Sequence, residues 1–499
     1  MKLIKLAACI AAATALTACL DKDDDSSNSS SAIAIDMEKA QLVVNTNADI
    51  AYATYSDAVA TAEALKTALT TFKNDPTEAN LLAAKKAWLV AREPYGQTEV
   101  YRFRSSPIDD DPTTSDEEDG PEGALNAWPL GEALIDYVQV GGDFGNKQIG
   151  VESHNVTVAQ GGTALTDAIT TVNASSDNTI IGNRDIVINE ALLDASESGD
   201  GHDVISGYHA IEFMLWGQDL NNNAGITNEN DRDEAVKTEA VKSATSPVNP
   251  FATGGQRPLT DFTTDTNADR RHAYLEVLVD KLIADLNKVQ NQWSPDSDSE
   301  NYRDRFTTLT DEADAKQKLT EILFAMGTLS QGELAGERIQ IGYAGNSQED
   351  EHSCFSDNTH RDIWLNAEGV SNSFFGTYAG YDGDLNGSDE KTNNAVSGYG
   401  IYDYLNDVGL ESLAEQTKTK LAATEVQYTA IDTKARAGEP FDVLIMDANR
   451  NDENPVSKVI VALTQQANSM QDIADELGLG DVVDDEGTGC DTQDPNSEC

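Results

Sequence analysis

Basic residues are scarce in this 499-residue chain: 34 Lys and Arg stand against 87 Asp and Glu, a net charge of −53. A field of that sign repels phosphate backbones and anionic lipid surfaces. It excludes nucleic acid and polybasic membrane docking, and it attracts cations. Hydrolase signatures are missing too. There is no HExxH or HxxEH pairing of imidazoles with a Glu base, and no GxSxG nucleophile turn. Cysteines number five, with no CxxC, no Cys/His zinc spacing and no CxxCH, so zinc ribbons and c-type haem are excluded. Heptads and solenoid repeats are absent. What is present suits a globular protein: 39% of residues are hydrophobic, and the length allows two to four domains at roughly 100 to 200 residues each.

The apolar run at the start, Leu6 to Leu16, is too short to span a bilayer. It follows Lys2 and Lys5 and ends in Leu16-Thr17-Ala18-Cys19. Residues 1–18 therefore resemble a bacterial lipoprotein signal, which implies cleavage before Cys19, acylation of that cysteine, and a protein anchored to the membrane without crossing it. Leu20 stands where inner-membrane lipoproteins commonly carry Asp, so the resemblance implies an outer-membrane anchor, the protein facing the periplasm or the cell surface. Residues 19–35, rich in Ser and Asp, read as a flexible tether. In that oxidising compartment Cys490 and Cys499, nine apart in the acidic tail 481–499, suit a local disulfide, and Cys354 is left as a lone thiol.

Beyond Asp36 the pattern is helical. Spacings of three and four predict helices at Met37–Lys73, from Asp75-Pro76 to Phe103, at Ala124–Val140, Asp203–Trp216, Asp269–Trp293, Asp311–Gly342, Tyr402–Ile431 and Pro455–Leu479. Only short segments such as Thr179–Asn189 look strand-like. The expected fold is all-α. It comprises one helical bundle over residues 36–219, a Gly- and Asn-rich linker or excursion at 220–265, and a second bundle at 266–480, with weak likeness between halves that suits a duplication.

Three constellations carry chemistry. In GYHAIEFMLWG (207–217), His209 and Glu212 are i and i+3 on an apolar and hence buried helix, where one face grips one cation or the pair satisfies itself. In AWLVAREPYGQTEVYRF (87–103), Trp88, Arg92, Tyr95, Glu99 and Arg102 recur at three and four, predicting one face both aromatic and ionic, with Pro94 bending the helix. There Glu99 is a candidate metal ligand oriented by Arg92 or Arg102, and Glu93 a weak candidate base. In QEDEHSCFSDNTHRD (348–362), Glu349, Glu351 and Asp357 offer hard oxygen donors that suit ferric iron, calcium or magnesium, and Glu349 is a second weak candidate base. The other reading of that segment is a polar hairpin whose acids satisfy backbone amides.

These three motifs, with NAWPLGEALIDYV (126–138), GQRPLTDF (255–262) and DRRHAYL (269–275), occur in an order that resembles the imelysin family, in its insulin-cleaving-metalloproteinase and iron-regulated-protein-A branch. The resemblance covers about residues 40–475. It implies two helical bundles and a GxHxxE site near their junction, made here by Gly207, His209 and Glu212. It implies a metal ion, iron before zinc or calcium, and a role in iron uptake or homeostasis with a transport partner in the envelope. Some members of the family are named as peptidases, which implies the alternative of a metallopeptidase acting on peptides. With no recognisable base in the sequence, metal binding is the preferred reading. The sequence thus predicts that His209, Glu212 and Glu99 surround one metal ion, with Glu349, Glu351 or Asp357 as further ligands.

Overall fold

The first helix, α1 (Met37–Asn74), runs 38 residues without Gly or Pro, capped by the Asp36 side chain, which accepts from the Lys39 amide at 3.2 Å. Ala40, Val44, Ala48, Ala51, Tyr55, Ala58, Ala62, Leu65, Leu69 and Phe72 make one buried stripe at spacings of three and four. The alanines let neighbours approach closely, and each large apolar side chain that is fully covered contributes roughly 1.5–3 kcal/mol. Against α1 pack α2 (Glu78–Gly96) and α4 (Ala268–Trp293), with α3 (Gly207–Trp216) seated against both of these. A second group gathers around α8 (Pro455–Leu477). It comprises α7 (Glu411–Arg436) and α5 (Glu312–Thr328), and α5 continues as a π-helix (Leu329–Gln340) and a last α turn (Ile341–Gly345).

Between the groups lies α6 (Thr359–Phe375), which touches both α2 and α7. It comes so close to α2 that a Cβ on Gly96 would meet the Leu365 Cβ at 2.6 Å. Among the described residues, strands form two antiparallel hairpins, β1 (Val158–Gln160) with β2 (Thr163–Leu165), and β3 (Thr377–Tyr381) with β4 (Glu390–Ser397), the latter lying along α1. The fold is thus all-α.

This architecture comes from a computed structural model, which describes residues 33–104, 106–110, 120–137, 158–160, 163–165, 179–194, 204–219, 254–255, 257–297, 300–348, 350–446, 449–484, 489–497 and 499. The signal, Cys19 and most of the tether and of the 220–265 excursion lie outside the described residues. From Ile33 onward the chain forms one compact unit whose buried apolar residues make a continuous core, with α4 joined to the first helical group.

Several expected elements differ. The helix predicted to reach Phe103 ends at Gly96, because Pro94 removes a backbone donor in the last turn; a 3₁₀ turn, Glu99–Tyr101, follows. Thr77 caps α2, whereas Asp75 closes α1. The helix predicted at Ala124–Val140 is two single turns, Glu122–Leu125 and Glu132–Ile135, on either side of a cis Trp128–Pro129 bond. Residues 179–189 form turns in place of a strand: Thr179 Oγ1 accepts from the Gly182 amide and Asn183 Oδ1 from the Asp185 amide. Neither α6 nor the β3–β4 hairpin was anticipated. In the tail Cys490 and Cys499 are disulfide-bonded, and the loop they close docks on the π-helix, where Gln340 Nε2 donates to the Asp491 and Asp494 carbonyls at 3.1 and 3.2 Å.

Candidate metal centre

Gly207 opens α3 with φ +82°, and a Cβ there would come within 2.5 Å of the Leu125 carbonyl oxygen, so only glycine fits. One turn on, His209 and Glu212 share a face and are both buried. His209 Nδ1 lies 2.9 Å from Glu212 Oε2. The other Glu212 oxygen accepts from the Ser356 amide at 2.9 Å and the Ser356 hydroxyl at 2.6 Å. Glu212 therefore spends both oxygens on orienting its surroundings. The far nitrogen of His209, Nε2, is buried and makes no hydrogen bond with the described residues.

A second imidazole meets it. His352, in the turns before α6, has Nδ1 2.9 Å from Asp362 Oδ2, and its Nε2 is likewise buried without a hydrogen bond. The two rings lie 4.8 Å apart at 85°. Asp362 also accepts from the Ser353 hydroxyl, from Asn358 Nδ2 at 3.2 Å and from Arg92 Nε at 3.1 Å. Arg92 in turn lies over the rings of Trp88, Tyr95 and Tyr208 at 4.9–5.7 Å and donates through Nη1 to Asn126 Oδ1 at 2.5 Å. Trp88 Nε1 donates to the Tyr208 carbonyl at 2.8 Å, so the aromatic stripe of α2 is a buried clamp on α3.

Both imidazoles line one small cavity, with Trp128, Glu132, Glu351, Cys354 and Phe355 among its other walls. Its Trp128–Glu132 wall is pinned by Asp136, which binds Arg257 Nη1 at 2.7 Å and Arg271 Nε at 2.7 Å. Its Phe355 wall is pinned by the Gly255 amide, which donates to the Phe355 carbonyl at 2.8 Å. Three separate sequence motifs thus converge on one cavity.

Burial, and next the charge of Arg92, holds the His209 pKa down to about 3. Burial also depresses His352 to about 3, against the pull of Asp362. Both rings are neutral at physiological pH, the form in which imidazole binds metals. Burial lifts the Glu212 carboxyl to about 8, with the Ser356 hydrogen bonds opposing. On Asp362 burial acts in the same direction, but Arg92 and the His352 hydrogen bond override it and hold the carboxylate well below its usual range.

Of the other sequence-predicted residues that are described, Glu351 alone lines the cavity. Glu99, no longer on the α2 face, pairs with Arg338 Nη2 of the π-helix at 2.9 Å and Arg102 Nη1 at 3.4 Å. Burial would raise its pKa, but Arg338 and Arg102 bring it down to about 2. Glu93 forms a two-point pair with Arg361 at 2.9 and 2.7 Å. Glu351 lines the cavity, and Glu349 lies outside the described residues. Asp357 has its carboxylate within 4.8 Å of those of Asp219 and Asp442, all buried, an oxygen-only set. A second such set, Asp382, Asp384 and Glu390, sits at the tip of the β3–β4 hairpin. Around the cavity itself no three donors lie that close together among the described residues. His352, Asp362 and Glu132 were not singled out from sequence. All three fall inside the recognised motifs, but at spacings that no single helix or strand relates.

An all-α fold with two buried imidazoles on one small cavity defines the class of protein. The chain belongs to the imelysin (peptidase M75) family, whose sequence model matches residues 51–470. Iron-regulated protein A of Synechococcus elongatus is 40% identical over 76 residues, a stretch that is 15% of this chain and 18% of that protein. Among solved structures, an iron-regulated protein A precursor from Parabacteroides distasonis superposes with a TM-score of 0.52 at 15% identity, covering 90% of this chain and 97% of that one. An imelysin-like protein from Psychrobacter arcticum gives 0.50 at 12%, covering 90% and 99%. At such identities the structural likeness concerns the fold alone.

Proposed function

We propose that this is a lipid-anchored envelope protein that binds one metal ion, iron, at the His209–His352 cavity and serves iron uptake or homeostasis. The observation that carries this reading is the pair of buried imidazole Nε2 atoms, on one cavity and without hydrogen bonds. Buried nitrogens left unsatisfied cost free energy, and a cation that both coordinate removes that cost. Imidazole favours iron, zinc or copper over calcium, which takes oxygen ligands alone. Glu132 and Glu351 on the walls supply carboxylates to balance the charge, while Glu212 and Asp362 fix the rings from behind. That two relatives bear the name iron-regulated protein A favours iron among these metals. The Cys19 anchor and tether keep the protein in the envelope, its acidic surface draws cations, and a transport partner there receives the ion.

A metallopeptidase needs an open coordination position and a cleft for a polypeptide. The cavity has room for little more than a water molecule, and the candidate base Glu93 is committed to Arg361. Metal binding is therefore the better-supported function. Metal analysis of the lipid-free protein should find about one iron per chain. His209→Ala and His352→Ala should each lose it with helicity retained; variants that hold iron like the wild type would refute the reading. For the anchor, Cys19→Ser should abolish lipid labelling and release the protein into the soluble fraction.

A further inference from the structure

We propose that Arg104 binds a small carboxylate anion inside an aromatic box between α1, α4 and the turns that follow α2, independently of the imidazole cavity.

Phe103, at φ +63°, turns the chain between two arginines. Arg102 pairs with Glu99, Asp109 and Glu122, whereas Arg104 enters the core and is only 8% exposed. Its guanidinium lies over the rings of Tyr101, Trp293 and Phe306, 5.1–5.9 Å from their centroids. Nη1 donates to Asn47 Oδ1 of α1 at 3.2 Å. Nε and Nη2 are buried and make no hydrogen bond with the described residues, and the group forms no ion pair among them.

Those two nitrogens are the edge of a guanidinium that matches the two oxygens of a carboxylate. Two other buried arginines of this chain use that edge in this way. Arg361 donates through Nε and Nη2 to Glu93 Oε1 and Oε2 at 2.9 and 2.7 Å, and Arg271 through the same atoms to Asp136 Oδ2 and Oδ1 at 2.7 and 3.1 Å. For Arg104 no described carboxylate plays that part.

The polar groups beside Arg104 are donors as well. Trp293 Nε1 and the hydroxyls of Tyr101 and Tyr302 are buried and make no hydrogen bond with the described residues. Their rings are neighbours, Tyr101 to Trp293 at 5.8 Å and Trp293 to Tyr302 at 4.8 Å. Burial raises the pKa of both hydroxyls, and the charge of Arg104 opposes that rise in each. The two acids whose charge reaches Tyr302 have cations of their own: Asp109 pairs with Arg102 and Glu321 with Lys318. A buried cation without a counter-charge, among donors without acceptors, costs free energy. A carboxylate only accepts, so it meets both needs at once, and the full burial of Nε and Nη2 favours a small one.

Thermal unfolding of the full-length protein, with sodium acetate replacing sodium chloride at constant ionic strength, tests this. The wild-type melting temperature should rise with acetate along a saturable curve. His209→Ala should show the same rise, because the imidazole cavity takes no part. Arg104→Lys keeps the charge but loses the two-point fork, so acetate should bind roughly tenfold or more weakly. Arg104→Met should not respond to acetate, and Tyr302→Phe, which loses one donor and leaves the guanidinium in place, should respond more weakly than wild type. A wild-type melting temperature that is the same in acetate and chloride would overturn the proposal, as would an Arg104→Lys variant with wild-type acetate affinity. Loss of the response in His209→Ala would move the anion to the imidazole cavity and overturn the assignment to Arg104.

Discussion

His209 and His352 line one cavity, and each has Nδ1 2.9 Å from a carboxylate oxygen, yet the two supporting arms differ in charge. Glu212, behind His209 on α3, has only the Ser356 amide and hydroxyl against its second oxygen, and burial keeps its carboxyl protonated to about pH 8. Asp362, behind His352 on α6, is as deeply buried, but the Arg92 guanidinium at 3.1 Å holds it ionised. Equal geometry toward the imidazole therefore does not set the electrostatics; one cation from α2 does. The Asp362 arm makes His352 the stronger electron donor to a metal, because an ionised partner raises ligand basicity.

The largest test of that asymmetry is to remove the anion. Asp362→Asn leaves Arg92 buried with Asn126 and three aromatic rings but no counter-charge, which should cost about 3–5 kcal/mol in urea unfolding at pH 7. Glu212→Gln should cost about 1 kcal/mol or less at the same pH, since the amide oxygen can accept both Ser356 bonds and its NH₂ can donate to His209 Nδ1. That donation puts the ring proton on Nε2, and the amide, unlike the Glu212 carboxyl, cannot release a proton as the ion binds, so Glu212→Gln should keep its stability and lose iron. Comparable destabilisation by the two variants would show that the arms are not electrically different.

A smaller effect is the pH slope. Glu212 has a folded pKa of about 8 against an ordinary 4.5, so between those values the folded state binds a proton that the unfolded chain has released. Stability of the metal-free protein should then fall as pH rises through that window, by up to about 1.4 kcal/mol per unit, and the stabilising contribution is complete only below pH 4.5. Asp362 has the opposite sign: its depressed pKa stabilises above the ordinary carboxylate range, and that contribution is lost as pH falls toward the folded value. Glu212→Gln should flatten the slope between pH 5 and 8; an unchanged slope would assign it to other groups.

The same two arms show what was legible in the sequence. The long helices α1, α4, α5 and α8 were readable because their apolar residues keep helical spacing over many turns. His209 and Glu212 were readable as a pair because three residues on one helix must share a face. His352 and Asp362 are ten residues apart across a turn and a helix start, and no period relates them. Arg92 meets Asp362 across 270 positions of sequence, and Glu99 meets Arg338 across 239. Glu99 was placed on the α2 face only by carrying the helical period past Gly96, where α2 ends two residues after Pro94. Tertiary contact, which no local pattern encodes, decides those partners.

The smallest effect should come from Ser356, the side chain that does most to temper Glu212. Its hydroxyl at 2.6 Å and its amide at 2.9 Å both stabilise the ionised carboxylate, and Ser356→Ala removes only the first. The cost near neutral pH should be no more than about 1 kcal/mol. The diagnostic change is in titration. Losing a bond to the charged form moves the Glu212 pKa further above 8, so the upper edge of the sloping window shifts to higher pH while the acid limb governed by Asp362 stays in place. Carbon-13 NMR of labelled glutamate carboxyls would follow Glu212 directly. An upper edge that stays fixed, or moves toward acid, would mean that Ser356 does not set the charge of this arm, and the contrast with the Arg92-held arm would then need another cause.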